Sequence, residues 1–263
     1  MKKMHCFVVL AYKESEYLEE CIKSVLDQKY ISDVVIATST PNDYINKIAK
    51  KYNLKVLINV KSGAGIESDY NFAINCTNYK LLTIAHQDDI YDYDYSYNIV
   101  NEFKKNNNAL ILFSDYYEVK GNQKIKINLN LKIKRILLFP LRFRNISNSK
   151  FVKRLSISFG CTICCPSVTY VKDNLKEIVF LSNFKAIGDW AAWERLSNQK
   201  GTFIYLPKKL MGHRIHDGSS TTELIRENIR TKEDLEMFKK FWPAPLAKLI
   251  NKFYAKAEKS NNL

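Results

Sequence analysis

Phe7-Val8-Val9-Leu10-Ala11-Tyr12-Lys13-Glu14-Ser15-Glu16-Tyr17-Leu18-Glu19-Glu20-Cys21-Ile22-Lys23-Ser24-Val25-Leu26 places two hydrophobic periods back to back. From Cys6 to Ala11 the apolar run is continuous, as for a strand covered on both faces. Leu18, Cys21, Ile22, Val25 and Leu26 then recur at the spacing of one helix face, with Ser15 placed to cap it. The same alternation continues outward. Strands are expected at 34–37, 54–59 and 81–85, and helices from Pro41-Asn42-Asp43 and from about Ser68 to Cys76. Strands and helices alternating in this way imply βαβ units and a mostly parallel sheet with helices on both faces.

Past residue 95 the pattern changes. A helix at about 95–104, a strand at 109–113 and a hairpin turn at Gly121-Asn122 are expected. Helical spacing of Ile133, Ile136, Leu137 and Phe139 ends at Pro140. A strand near 162–171, a helix from about Asp189 to Asn198 and a strand at 202–206 running up to Pro207 follow. Helices at about 222–241 and 246–256 close the chain. We expect one domain over 1–243, with a ligand-binding half (1–115) and an elaborated half (116–243), and a basic amphipathic helix and tail over 244–263.

The 263 residues are 46% hydrophobic and 26% charged, which excludes a disordered chain. No stretch approaches the ~18 apolar residues of a membrane span, and no cleavage site follows the basic start, so a secretory leader is not expected. Six cysteines are too few for a disulfide scaffold. Cys161-x-x-Cys164-Cys165 lacks a second ligand pair, so these are read as small buried hydrophobes in a reduced, cytoplasmic protein. Net charge is +14, and it is uneven: 119–172 holds twelve Lys or Arg and no acid. Such a window attracts phosphate. Within it, Arg135 to Arg144 mixes cations with large apolar residues, as interfacial membrane segments do.

Ligands of open parallel sheets bind beyond the carboxyl ends of the strands. Three polar clusters fall there: Tyr12-Lys13-Glu14, Thr38-Ser39-Thr40 and His86-Gln87-Asp88-Asp89. The adjacent carboxylates suit Mg²⁺ or Mn²⁺, although they could instead cap the following helix. Met211 to Thr221 is a strand end entering a small polar loop, and three of the four histidines (His86, His213, His216) lie in these two segments. His216 is the better ligand candidate. Asp189 stands at a helix N-terminus, either as a cap or as a base, with Trp190 and Trp193 beside it as a sugar-stacking wall or as core. Neither GxGxxG nor GxxxxGK[ST] is present.

The ordered set FVVLAYKE (7–14), YLEECIKSVLDQ (17–28), GIESDYN (65–71), HQDDIY (86–91), GDW (188–190) and RIHDGSST (214–221) resembles the family-2 glycosyltransferases of the GT-A fold, of the bacterial cell-surface polysaccharide type. The resemblance implies inverting transfer of a sugar from a nucleotide-diphosphate donor, UDP-linked, helped by Mg²⁺ or Mn²⁺. By position it implies a donor site at Ala11, Tyr12, Glu14, Thr38, Ser39, Asp69, His86, Gln87, Asp88 and Ser219. It further implies metal ligation by Asp88 and His216, and Asp189 as general base. Two positions depart from the family pattern: Thr38-Ser39-Thr40-Pro41 replaces an acid that helps read the base, and His86 replaces the first acid of the metal motif. The acceptor implied is a glycan or a lipid-diphosphate-linked saccharide, reached from the cytoplasm or from the inner face of the membrane, with the 120–172 segment meeting anionic lipid. Two rival readings are a sugar nucleotidyltransferase and a non-enzymatic basic module that binds nucleic acid. The first lacks a Gly- and Lys-rich loop after the first strand, and the second lacks a recognition motif.

Overall fold

The computed structural model describes residues 4–61, 65–175, 178–182, 184–216 and 229–261. The N-terminal half runs β1 (His5–Ala11), α1 (Leu18–Leu26), β2 (Asp33–Thr38), α2 (Asp43–Lys51), β3 (Lys55–Ile58), α3 (Ile66–Asn75) and β4 (Leu81–His86). Then come β5 (Ile90–Tyr91), α4 (Tyr95–Lys105), β6 (Ala109–Lys120), β7 (Gln123–Ile125), α5 (Leu129–Leu138), a 3₁₀ turn (Phe139–Arg142) and α6 (Lys150–Ile157). The chain continues through β8 (Val168–Val171), α7 (Gly188–Ser197), β9 (Thr202–Ile215), α8 (Ile229–Lys239) and α9 (Ala244–Asn261).

All nine of these strands join one sheet, in the order β3-β2-β1-β4-β8-β6-β9-β5, with β7 on β6. Pairing is parallel for β1 with β2 and β4, for β2 with β3, and along the whole of β6 with β9. The short β8 is antiparallel to β4 and β6 and links the two parallel sets. Because both faces of β1 are covered, its alternate residues feed different cores. Cys6 and Val8 pack with α3, α7 and α8, while Phe7, Val9 and Ala11 pack with α1, α2 and α4. This is the mixed α/β, mostly parallel architecture expected from the alternation. α9 packs Ala247 into the first of these cores.

Several expectations are corrected. Pro207 does not end its strand: β9 continues to Ile215, and the register against β6 slips between Ser114 and Asp115. A bulge leaves residues outside the ladder, so a proline without an N–H is tolerated there. The strand expected near 162–171 is confined to Val168–Val171, because Cys165-Pro166-Ser167 turns as a 3₁₀ segment. Ser15 is not the cap of α1: it lies two positions before the cap residue, Tyr17, and its hydroxyl accepts the Tyr17 N–H at 3.3 Å. Trp190 and Trp193 are fully buried, so they are core and not a sugar-facing wall. The part of the expected 222–241 helix before Ile229 lies outside the described residues. The Gly121-Asn122 hairpin forms as read, with Lys120 opposite Gln123 and Gly121 at φ +53°.

Half of the cations in the acid-free window are engaged by other groups of the protein. Arg135 binds Asp115 at 2.8 Å, and Lys134 donates to the Tyr116 hydroxyl at 3.0 Å. Arg144 pairs with Glu102, Arg154 with Glu194, and Lys172 with the Thr77 carbonyl. Lys153 has no exposed surface and donates to the carbonyls of Gln199 (2.6 Å) and Gly201 (2.9 Å), under the Phe203 ring. It ties α6 to the turn before β9.

Burial pulls the Lys153 ammonium down to about 8. Its unfolded value is about 10.4. Between these limits the unfolded chain holds the proton more tightly, so the contribution of Lys153 to stability is full above the upper value and falls as pH drops through the lower one. The stability difference between the wild type and Lys153→Met should therefore widen from about pH 8 to about pH 10 in urea unfolding. A pH-independent difference would contradict a depressed amine.

Candidate active site

The carboxyl ends of β1, β2 and β4 lie side by side, with Leu10 opposite His86 and Ala11 opposite Thr38. Beyond β1 the backbone is braced by side chains. Gln87 accepts the Tyr12 N–H and donates to the Tyr12 carbonyl, both at 3.0 Å, so a side-chain amide prolongs the pairing of β1 with β4. Lys13 then adopts φ +54° and donates its N–H to Thr40 Oγ1 at 2.6 Å. Thr38 is buried and its hydroxyl accepts the Thr40 N–H. Gln87 and Thr38 thus spend their polar atoms on the turn, and Ala11 is core. Tyr12 and Glu14 are exposed at its rim. Asp69, on α3, receives Ser39 Oγ on one oxygen and Asn59 Nδ2 on the other, each at 2.8 Å. A carboxylate is therefore held at the ends of β2 and β3, next to the position where Thr38-Ser39-Thr40 lacks one.

The turn after β4 carries the densest charge. His86 ends the strand, and its ring stacks on Tyr70 with centroids 5.5 Å apart. Asp89 has no exposed surface. One of its oxygens accepts the Arg214 N–H at 2.9 Å and His213 Nδ1 at 3.1 Å. Arg214 Nε donates to the Asp88 carbonyl, its Nη2 donates to Glu20 Oε2 at 2.6 Å, and the guanidinium covers the Tyr17 ring at 4.3 Å. His216 Nε2 donates to Asp88 Oδ2 at 3.0 Å and packs edge-on against Tyr17. The end of β9 is thereby clamped to the end of β4. Neither Asp88 nor Asp89 caps α4, whose cap position is Asp94.

These contacts set the charges. Burial disfavours the Asp88 carboxylate, but the His216 hydrogen bond and nearby His86 and His213 outweigh it and hold the carboxyl below its ordinary value. Burial likewise disfavours a charged His213, yet Asp89 outweighs it and raises the imidazole. The donor atoms of His86, Asp88 and Asp89 lie within 4.8 Å of one another. Among the described residues, His86 Nε2 and Asp89 Oδ2 are buried polar atoms with no hydrogen-bond partner. Two carboxylates and an imidazole with spare lone pairs fit a divalent cation. The set adds His86 and Asp89 to the expected Asp88, and His216 stands behind Asp88 as its hydrogen-bond donor.

Asp189 opens α7. One carboxylate oxygen accepts the Trp190 N–H at 2.7 Å, and the other receives the Cys161 thiol at 3.4 Å. Gly188 lies beside it, and a Cβ there would come within 2.7 Å of Glu67 Oε1 on α3, so that side chain would have to shift. Burial, then Cys165, Asp189, Asp88 and Asp89, push the Tyr70 hydroxyl well above its ordinary value. Burial and the charges of Asp189 and Asp89 do the same to the Cys164 and Cys165 thiols. Helix α3 touches both the His86-Asp88-Asp89 cluster and the start of α7: its Tyr70 stacks on His86, and its Glu67, one turn earlier, lies against Gly188 beside Asp189. All six cysteines are free, as read. Ser219 lies outside the described residues. Arg214, Glu20 and Tyr17 had no assigned role from sequence; the one hint was the position of Arg214 between His213 and His216.

Residues 6–167 match the model of glycosyl transferase family 2. No curated protein matches the sequence. Among solved structures, Staphylococcus aureus TarS is similar at a TM-score of 0.58 and 15% identity, covering 94% of this chain and 42% of that one. The chain thus spans about two fifths of the length of TarS. TarS 1–349 in complex with UDP-GlcNAc is similar at 0.62 and 14%, covering 94% and 69%. The mannosyltransferase PcManGT from Pyrobaculum calidifontis, in complex with GDP-Man and Mn²⁺, is similar at 0.63 and 15%, covering 96% and 69%. These likenesses establish the GT-A fold, and the family match spans more than half of the sequence: the chain belongs to glycosyl transferase family 2.

Proposed function

We propose that this glycosyltransferase moves a sugar from a nucleotide-diphosphate donor to a hydroxyl of a glycan or lipid-linked acceptor, with inversion at the anomeric carbon. The observation that carries the reading is that a carboxylate at a helix start, Asp189, and a metal-competent cluster both adjoin α3, where Glu67 lies against Gly188 and Tyr70 stacks on His86. A single displacement needs one base on the acceptor side and positive charge on the leaving-group side.

In this reading His86, Asp88 and Asp89 would hold Mg²⁺ or Mn²⁺, which supplies positive charge against the diphosphate. His216 keeps the Asp88 carboxylate ionised and turned inward. Asp189 Oδ2, whose neighbour is a protonated thiol, takes the proton of the acceptor hydroxyl as that oxygen attacks. Asp69 reads an N–H edge of the base in place of the acid missing after β2, which suits a uracil, and UDP-linked sugars are the donors expected.

Asp189→Asn tests the base directly, because the amide oxygen can still accept the Trp190 N–H and preserve the helix start. Transfer should fall by roughly 10²–10⁴-fold while the donor Kd, by calorimetry, stays within about threefold. Equal loss of both would make Asp189 a structural cap.

Asp88→Asn should weaken Mn²⁺ binding by at least about tenfold in titration calorimetry without lowering the melting temperature. Unchanged affinity would remove the cluster from the reading.

For Asp69→Asn, a panel of nucleoside diphosphates should show affinity for UDP falling toward that for CDP, with a difference of about 1–2 kcal/mol lost. A uniform loss over all bases would assign Asp69 to bracing Ser39 and Asn59 only.

A further inference from the structure

Three helices of this molecule carry apolar side chains on two sides. In α5, Leu131 and Leu138 are buried, while Leu129 (71% exposed), Ile133 and Ile136 (70%) form a stripe on the opposite side at i, i+4, i+7. In α6 the buried positions are Lys153, Ser156 and Ile157, and Phe151 (72%) and Leu155 point outward. In α9, Ala247 and Asn251 are buried, and Leu246, Leu249 and Phe253 (66%) form a separate exposed stripe. Burying polar groups inside and leaving Phe and Ile outside reverses the usual economy of a helix that meets only water.

The stripes belong to adjoining elements. α5 packs on α6, and the Phe139 and Phe143 rings of the intervening turn meet edge-on at 5.3 Å, both half exposed. Phe159, just after α6, packs on Trp242, just before α9, with ring centroids 4.9 Å apart. Gly160 approaches so closely that a Cβ would lie 2.5 Å from the Tyr254 ring of α9.

Charge identifies the occupant. Neither 119–172 nor 237–257 contains an acid. Once the cations engaged within the protein are set aside, Lys132, Arg142, Lys150, Lys248 and Lys252 remain exposed beside the apolar stripes. On α9, Lys248, Lys252 and Lys256 follow one another at i, i+4, i+8 along one edge of the exposed stripe, where long stems can lie along an apolar layer and place their charges at its boundary. A second copy of this chain would bring cation against cation. We propose that α5, α6, α9 and the turn at Phe139–Arg142 form a docking face for an anionic lipid bilayer, with the apolar stripes entering the acyl boundary and the lysines meeting headgroup phosphates. Among the described residues no helix is long and apolar enough to cross a membrane, so the contact is interfacial. It stands independently of the transfer chemistry.

Flotation with vesicles of phosphatidylglycerol and phosphatidylcholine, at low ionic strength and without any nucleotide, tests it. The chain should float with the mixed vesicles and stay in solution with phosphatidylcholine alone. The triple variant Ile136→Glu, Phe151→Glu, Phe253→Glu should lose at least about tenfold in partitioning. Because these side chains are exposed, its circular dichroism and its donor binding should match the wild type. Absence of flotation overturns the proposal, as does a triple variant that floats like the wild type. A wild type that stays in solution as a dimer, which the triple variant dissolves, assigns the face to a second copy and overturns it too. Donor binding is read separately, so a failed donor site and a failed docking face give different results.

Discussion

Asp89 is a carboxylate with no exposed surface, and the shape of the site follows from how its charge is held. An unpaired buried carboxylate would cost several kcal/mol. Here one oxygen receives the Arg214 N–H and His213, both from the far end of β9, and these contacts exist only if β9 runs unbroken to Ile215 beside β5. The continuation through Pro207 is therefore what brings residues more than 120 positions apart onto one turn. Arg214 then completes the clamp, reaching the Asp88 carbonyl, Glu20 and Tyr17 from a single guanidinium. The other Asp89 oxygen is left facing the cluster.

The first half of the fold was legible because its physics is local. A parallel strand covered on both faces reads as an unbroken apolar run, and the helices between such strands show one apolar face. β1, β2 and β4 met both conditions, and the edge strand β3, exposed at Lys55 and Ile58, kept only an apolar centre. Past β6 the same reading failed for definite reasons. Pro207 reads as a terminator, and only its place opposite a register slip explains why the strand survives it. α6 was invisible because Lys153 and Ser156 occupy its buried positions while Phe151 and Leu155 face outward, which inverts the period. The tryptophans after Asp189 read equally well as wall or core, and burial alone decides for core.

The site divides in the same way. Asp88, His216 and Asp189 were legible as types of residue at strand and helix ends. Two residues expected in the donor site, Gln87 and Thr38, also brace the backbone, and that depends on where Tyr12 and Thr40 place their amides. The role of Asp69 was carried by a motif and not by spacing, because its partners come from two other strand ends. Charges made by long-range pairing leave no periodic trace.

The proposed docking face and the proposed base are neighbours along the chain. Phe159 is exposed at the end of α6, and Cys161, two residues on, donates its thiol to Asp189. Two residues span at most about 7 Å. α6 also packs directly on α7, which carries Asp189. Holding the face against a bilayer would thus bring the proposed acceptor side close to the lipid surface, while the cluster stands at the end of β4, where His86 stacks on Tyr70. A water-soluble nucleotide sugar and a lipid-anchored acceptor differ in the phase they come from. With Asp189 as base and the cluster against the diphosphate, as proposed, the two routes to the site would be separate. On that reading the inverted helices and the buried Lys153 that pins one of them would have a common reason: α6 would keep its apolar side chains outward and still be fixed firmly enough to hold the neighbouring α7 in place.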